Sequence, residues 1–312
     1  MTLFIKLGLI MLIDPVVVYG FGNGVNLQPS YYNDGNVSFA WDIMQKYDQI
    51  KSLRIEVEPD KVSLAHDWIK QASEHGYNII VTYHKFENNG KDPIKFLLNA
   101  ANWWVDNYES LNESGNFTIN MMNEWSSHRL SSIDYANAYN QAIALVRTVY
   151  NGDIIIDIPG YAQEINKAVN ASSLLIDKEG YINKLIFSVH IYPMGFQTKS
   201  EPGSVSELVS ESESESEELE KIHWLTSNDL DILLTTGRPC MIGEWGLRPY
   251  HKPDNVTDIV IHAKNIGFLS IIAWAWNGDG NDLNMMTPSW NDDPTATEFT
   301  ESDYFYRIID YL

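Results

Sequence analysis

Two segments of this chain carry a glutamate where a strand-like apolar run stops: Thr118-Ile-Asn-Met-Met-Asn-Glu-Trp125 and Pro239-Cys-Met-Ile-Gly-Glu-Trp-Gly246. Two opposed carboxylates can share the work of cutting an acetal, one giving a proton to the leaving oxygen and the other attacking or stabilising the anomeric carbon. Glu124 and Glu244 are therefore the first candidates. Other polar and aromatic groups stand in or at the ends of similar runs. Arg54 lies in Leu53 to Glu58, Val81-Thr-Tyr-His84 ends in a histidine, and Ala273-Trp-Ala-Trp276 ends in an indole. In Phe187-Ser-Val-His-Ile-Tyr192 the period of two puts His190 and Tyr192 on one face. Each residue has an ordinary explanation when taken singly, a core histidine or an arginine paired with a nearby acid. Their shared position at the ends of runs points to one site.

Such a site would separate the two glutamates chemically. Arg54 and the Tyr192 hydroxyl beside Glu244 would keep it ionised, whereas the charge of Glu244 and shielding by Trp125 would keep Glu124 protonated. Asn123 can hydrogen-bond a sugar 2-hydroxyl, an interaction that strengthens in an oxocarbenium-like transition state. His84 and His190 supply further polar contacts, and Trp276 offers a platform for a sugar ring.

These groups meet only if many strand ends converge. Apolar runs of strand length fall at Phe21 to Leu27, Leu53 to Glu58, Asn78 to Lys85, Phe117 to Glu124, Ile154 to Gly160, Leu185 to Tyr192, Pro239 to Glu244 and Leu269 to Trp276. Between them, Val62 to His75, Ile94 to Tyr108, Ser132 to Val149 and Asp258 to Ile266 carry apolar residues at helical spacing. Eight such alternations predict an α/β fold, a (β/α)8 barrel in a single domain, whose strands deliver their C-terminal ends to one mouth. The rival, a doubly wound open sheet, would want a Gly-rich phosphate turn, and Gly22-Asn-Gly24 lacks the third glycine and the following helix.

The same residues resemble glycoside hydrolase family 5, in a large clan of retaining (β/α)8 enzymes. That family carries an Arg on strand two, a His after strand three, Asn-Glu after strand four, His-x-Tyr after strand six, a Glu after strand seven and a Trp after strand eight. Here the pattern falls on Arg54, His84, Asn123-Glu124, His190-Ile-Tyr192, Glu244 and Trp276. The resemblance implies that Glu124 is the acid/base and Glu244 the nucleophile, with the carboxyl groups about 5 Å apart. Several strings look most like bacterial-type endo-β-1,4-mannanases: Asn123-Glu-Trp125, Ile156-Asp-Ile-Pro-Gly-Tyr-Ala-Gln163, Ile242-Gly-Glu-Trp-Gly-Leu-Arg248 and Ala273-Trp-Ala-Trp-Asn-Gly278. Tyr161 departs from them, standing where those enzymes usually carry Trp. The expected substrate is a β-1,4-linked polysaccharide, β-mannan first and β-1,4-glucan as the alternative. A different class, an inactive carbohydrate-binding protein on the same scaffold, usually loses one carboxylate, and both are present.

Composition agrees with a neutral ligand. The chain of 312 residues carries 42 acidic and 21 basic side chains, a formal charge of −21, which speaks against nucleic acid or an anionic membrane as partner. No cofactor is expected, and no metal, since no His-Glu-x-x-His spacing occurs and Asp279-Gly-Asn-Asp282 only faintly resembles a calcium loop. Met1 to Gly20 reads as a secretory signal, with Lys6 ahead of the apolar Leu7 to Ile13, and the rest as a soluble, secreted monomer without a transmembrane anchor. Sequons at Asn36, Asn112, Asn116, Asn170 and Asn255 agree with export through a glycosylating pathway. The lone cysteine, Cys240, forms no intrachain disulfide and reads as a buried inert thiol. An insertion at about 198–220, rich in Ser and Glu, cannot bury apolar surface and is expected to be solvated and mobile.

Overall fold

The computed structural model describes residues 21–178, 184–192, 225–247 and 256–312. The expected leader, the Ser/Glu-rich insertion, Arg248 and the sequon at Asn255 lie outside the described residues. Eight parallel strands close into a barrel in sequential order: β1 (Gly24–Leu27), β2 (Ser52–Val57), β3 (Asn78–Tyr83), β4 (Thr118–Asn120), β5 (Ile154–Asp157), β6 (Leu185–Ile191), β7 (Cys240–Trp245) and β8 (Ile271–Asn277). The described helices interleave with them: α1 (Trp41–Met44), α2 (Val62–Glu74), α3 (Ile94–Asn112), α4 (Ser132–Val146), α5 (Pro159–Ala162), α6 (Ile165–Ser172), α7 (Ser227–Leu234), α8 (Val256–Asn265) and α9 (Asp303–Ile308). This is the single-domain (β/α)8 barrel, and the closed ring removes the open-sheet alternative.

Strands buried on both faces have no need to alternate with polar residues. All six positions of β2 and all seven of β6 are buried, and their outward residues pack beneath the helices. On α3 the apolar stripe Leu97, Ala100, Ala101 and Trp104 recurs at helical spacing and faces that layer. Local chemistry sets the helix starts: the Ser131 hydroxyl caps α4 by accepting from the Asp134 backbone, and Thr226 with Asp229 forms a capping box on α7.

Inside the ring, Ile80, Ile155, Ile186, Met241 and Ile272 form a separate small apolar floor. Two residues further along the strands, toward the C-terminal mouth, the interior positions turn polar or small: Thr82, Asp157, Ser188 and Gly243. The polar half of the barrel thus begins one layer above the floor.

Candidate active site

Arg54 is the hub of this polar layer. Its side chain, 1% exposed, donates from Nε to Asn120 Oδ1 at 2.9 Å and from Nη2 to Asn123 Oδ1 at 2.6 Å. From Nη1 it reaches Asn26 Oδ1 at 2.8 Å, Glu56 Oε1 at 2.7 Å and Glu244 Oε1 at 2.9 Å. One guanidinium therefore ties β1, β2, β4, β7 and the segment after β4 together. The Asn123 amide is fixed in the process, because the arginine takes its oxygen and leaves the amide nitrogen as the donor toward the mouth.

Glu244 sits on β7 with a donor on each oxygen, Arg54 on Oε1 and the Tyr192 hydroxyl on Oε2 at 2.6 Å. Burial opposes its ionisation, but His190, Arg54 and Tyr192 together hold its carboxyl below the ordinary range. The Cβ of any larger residue at the preceding Gly243 would lie 2.2 Å from Ser188 Oγ and 3.0 Å from His190 Nε2, so glycine there makes room for the imidazole. His190 stands between the two acids, with Nδ1 2.9 Å from Glu124 Oε1 and 3.5 Å from Glu244 Oε2. Burial works against the imidazolium, yet the charges of Glu244 and Asp157 and the bond with Glu124 push His190 up to about 9.

Glu124 is reached differently from the expectation. The strand expected to run from Phe117 to Glu124 ends at Asn120, and Glu124 itself adopts a left-handed backbone with φ of 44°. A non-glycine residue there costs of order 1–3 kcal/mol, so the surroundings must impose it. Asp157 Oδ2 accepts the Glu124 N–H at 2.9 Å, and the Gly90 N–H donates to the Glu124 carbonyl at 2.8 Å. Gly90 has a left-handed φ of 65°, which favours glycine, and a Cβ there would also displace the Tyr161 ring, 1.9 Å away. The Glu124 side chain keeps 16% exposure, more than the Glu244 side chain at 6%. Burial, then the charge of Glu244, raises its carboxyl above the ordinary value, with the His190 bond opposing. The two carboxyl groups thus differ in direction: Glu244 is clamped and biased toward its ionised form, whereas Glu124 is more exposed and biased toward its protonated form.

The other expected residues fall in three groups. Arg54, Asn123, His190 and Tyr192 join the glutamates in this cluster. His84 lies beside it, with Nε2 3.4 Å from Glu56 Oε2 and Nδ1 bonded to the Tyr31 hydroxyl; burial lowers it to about 3. Trp125 and Trp276 are not brought to the mouth. Trp125 packs on Tyr135 and Tyr139 of α4. Trp276 is 0% exposed, donates its indole N–H to the Phe39 carbonyl at 2.8 Å and lies edge-on to Phe305. Strict alternation would have aimed it inward, but the register between β1 and β8 shifts there, Val25 facing Ala273 and Leu27 facing Asn277. Trp274, two residues after the interior Ile272, keeps 9% exposure and donates to Asp279 Oδ1.

Four polar residues of the cluster carry no sequence signal as strong as the glutamates: Asn26, Glu56, Asn120 and Asp157. For Glu56 a hint existed, because it follows Arg54 by two and so shares its face. Asp157 lies within a string noted for its resemblance, without a role. The donor atoms of Glu124, His190 and Glu244 lie within 4.8 Å of one another and form the only such set among the described residues that could hold a metal ion. His190 bonds to Glu124, and Glu244 bonds to Arg54 and Tyr192. Asp279 is used locally, accepting from Trp274, Asn281 and Leu283, which accounts for the calcium-like string as a loop brace. Cys240 is buried, and burial pushes its thiol up to about 12.

The family model of cellulase, glycosyl hydrolase family 5, matches residues 36–280. No curated protein sequence matches the chain. Among solved structures, the catalytic domain of a mannanase from Streptomyces sp. SirexAA-E is similar at 17% identity and a TM-score of 0.66, over 93% of this chain and 84% of that one. A β-mannanase from Streptomyces thermolilacinus is similar at 18% identity and 0.64, over 92% and 88%. An endo-β-1,4-glucanase from Xanthomonas axonopodis pv. citri, in a triple-mutant form, is similar at 14% identity and 0.63, over 93% and 98%. At these identities the likeness is one of fold.

Proposed function

Because the chain belongs to the cellulase family, glycosyl hydrolase family 5, we propose that this O-glycosyl hydrolase is a retaining, endo-acting enzyme of β-1,4-linked polysaccharide, with β-mannan as its preferred backbone. The observation that carries the retaining mechanism is that oxygens of Glu124 and Glu244 approach within 4.8 Å, with Arg54 and Tyr192 gripping the second acid. Inverting pairs stand about 6.5–9.5 Å apart to admit a water, and retaining pairs about 5–5.5 Å.

In the first step a Glu244 oxygen bonds to the anomeric carbon as the bond to the leaving oxygen breaks, and Glu124 gives that oxygen its proton. In the second, Glu124 takes a proton from water, the water oxygen bonds to the anomeric carbon, and Glu244 leaves as carboxylate. Asn123 offers its amide nitrogen to the 2-hydroxyl. On β8 the candidate sugar platform becomes Trp274, which is 9% exposed where Trp276 is 0% exposed.

Mannan preference rests on the strings around Trp125, Gln163 and Arg248, and two of the structural neighbours named above are mannanases. β-1,4-Glucan is the second reading, favoured by the endoglucanase among them. Met1 to Gly20 would direct export, and the mature chain, with its Ser/Glu-rich insertion, would act as a secreted monomer. Among the described residues no helix is long and apolar enough to cross a membrane. The test is reducing-sugar release from galactomannan, glucomannan, carboxymethylcellulose and xyloglucan side by side. Mannan should exceed β-1,4-glucan by at least about tenfold in kcat/KM, roughly 1.4 kcal/mol of transition-state binding. Equal rates or a preference for carboxymethylcellulose would move the enzyme to the glucanase reading, and binding without hydrolysis to an inactive scaffold.

A further inference from the structure

Arg54 Nη1 carries two hydrogens but has three acceptors in range: Asn26 Oδ1 at 2.8 Å, Glu56 Oε1 at 2.7 Å and Glu244 Oε1 at 2.9 Å. Asn26 is locked in place, since its own amide donates to the carbonyls of Gly243 and Ala273. The competition for the remaining hydrogen is between Glu56 and Glu244. Glu56 is a third carboxyl group in the barrel, fully buried on β2, and it lies outside the family pattern.

The groups facing Glu56 come from every side of the ring. Arg54 lies on its own strand. Gln28, beyond β1, donates to Oε2 at 2.8 Å, and Tyr31 follows on the same loop. His84 comes from the end of β3, with its Nε2 3.4 Å from Oε2, and His190 and Glu244 act from β6 and β7. The buried cations of this layer are Arg54 and His190, and the carboxylates of Glu244 and Asp157 already match them. A charged Glu56 would be a surplus negative group in a dry interior, which is costly. Burial first, and then the charge of Glu244, pushes Glu56 up to about 8, against the pull of Arg54, Gln28 and His190. A proton on Glu56 also has somewhere to point. The Tyr31 hydroxyl donates to Glu58 Oε1 at 2.6 Å and so receives from His84 Nδ1, which leaves the His84 Nε2 lone pair facing Glu56 Oε2.

We propose that Glu56 is a positioning residue that holds a proton in the working enzyme and thereby cedes the shared Arg54 nitrogen to the nucleophile Glu244. A neutral carboxyl accepts more weakly than a carboxylate, so the arginine hydrogen goes to Glu244 and fixes the attacking group. Loss of the Glu56 proton turns it into an equal competitor, loosens Glu244 and shuts activity down on the alkaline side. This rests on the assignment of Glu244 as nucleophile.

The experiment is the pH dependence of kcat/KM on 2,4-dinitrophenyl β-mannobioside and β-cellobioside, whose leaving group needs no proton from Glu124, so that the alkaline limb reports other groups. Glu56→Gln mimics the protonated state, and Glu56→Ala removes the side chain. The wild type should lose activity above about pH 8, Glu56→Gln should carry its limb at least about half a unit higher, and near pH 6 Glu56→Gln should fall less than about tenfold while Glu56→Ala falls further. Superimposable wild-type and Glu56→Gln limbs, or a Glu56→Gln variant as impaired as Glu56→Ala, would overturn the proposal. Infrared titration of the Glu124→Gln protein, which keeps Glu56 itself, should show a protonated carboxyl band lost near pH 8, and its absence would also overturn it. A wild type that cleaves neither these aryl glycosides nor any of the four polysaccharides would instead remove the hydrolase reading beneath it.

Discussion

The Nδ1 atom of His190 lies 2.9 Å from Glu124 Oε1 and, as an imidazolium, also bears on Glu244 at 3.5 Å. One ring thus lowers the proton affinity of both acids. Replacing it with Asn should move both limbs of the kcat/KM profile to higher pH. Glu244 loses its strongest ionising neighbour, so the acid limb rises; Glu124 loses the bond that favours its carboxylate, so it keeps its proton further into alkali. The maximum should drop by about 10²-fold or more. A profile that only shrinks, with both limbs in place, would show that His190 does not set these ionisations.

Asp157 does for the backbone what His190 does for charge. Its Oδ2 takes the N–H of left-handed Glu124 and lies 3.5 Å from His190 Nε2, while Oδ1 takes the Asn120 amide at 3.2 Å. Asp157→Ala should destabilise the fold by about 3–5 kcal/mol in chemical unfolding, because buried cations lose their partner. It should also cut turnover on polysaccharide far more than on an activated aryl glycoside, because the displaced group is the proton donor. Equal losses on both substrates would mean that the damage is general.

Trp276→Phe separates the core role from a role in sugar binding. Loss of ring volume and of the bond to the Phe39 carbonyl should cost about 1–3 kcal/mol of stability. KM on mannan or glucan should stay within about twofold. A large rise in KM with unchanged stability would return Trp276 to the cleft.

The barrel was legible in the sequence because each strand is a short apolar run bounded by turn residues, and each intervening helix carries its own stripe. The site was legible where chemistry clusters at run ends, as with Asn123-Glu124, His190-Ile-Tyr192 and Glu244. It was opaque where backbone irregularity decides. β4 stops at Asn120 and the chain turns left-handed at Glu124, and the register shift beside β8 turns Trp276 outward, so counting by two failed at both places. Asn26, Asn120 and Glu56 look like ordinary strand residues until ring closure sets them around one guanidinium. Trp125 shows the same limit from the other side: adjacency to Glu124 says nothing of its ring, which α4 claims.

The central claim is that Glu244 forms a bond to the anomeric carbon with Glu124 as proton donor and then base. Proton NMR of the first-formed reducing ends during hydrolysis of a β-linked oligosaccharide, recorded before mutarotation, tests it most directly. Two displacements at one carbon predict the β-anomer as the initial product. An initial α-anomer would contradict the account and make Glu244 the base for a single attack by water.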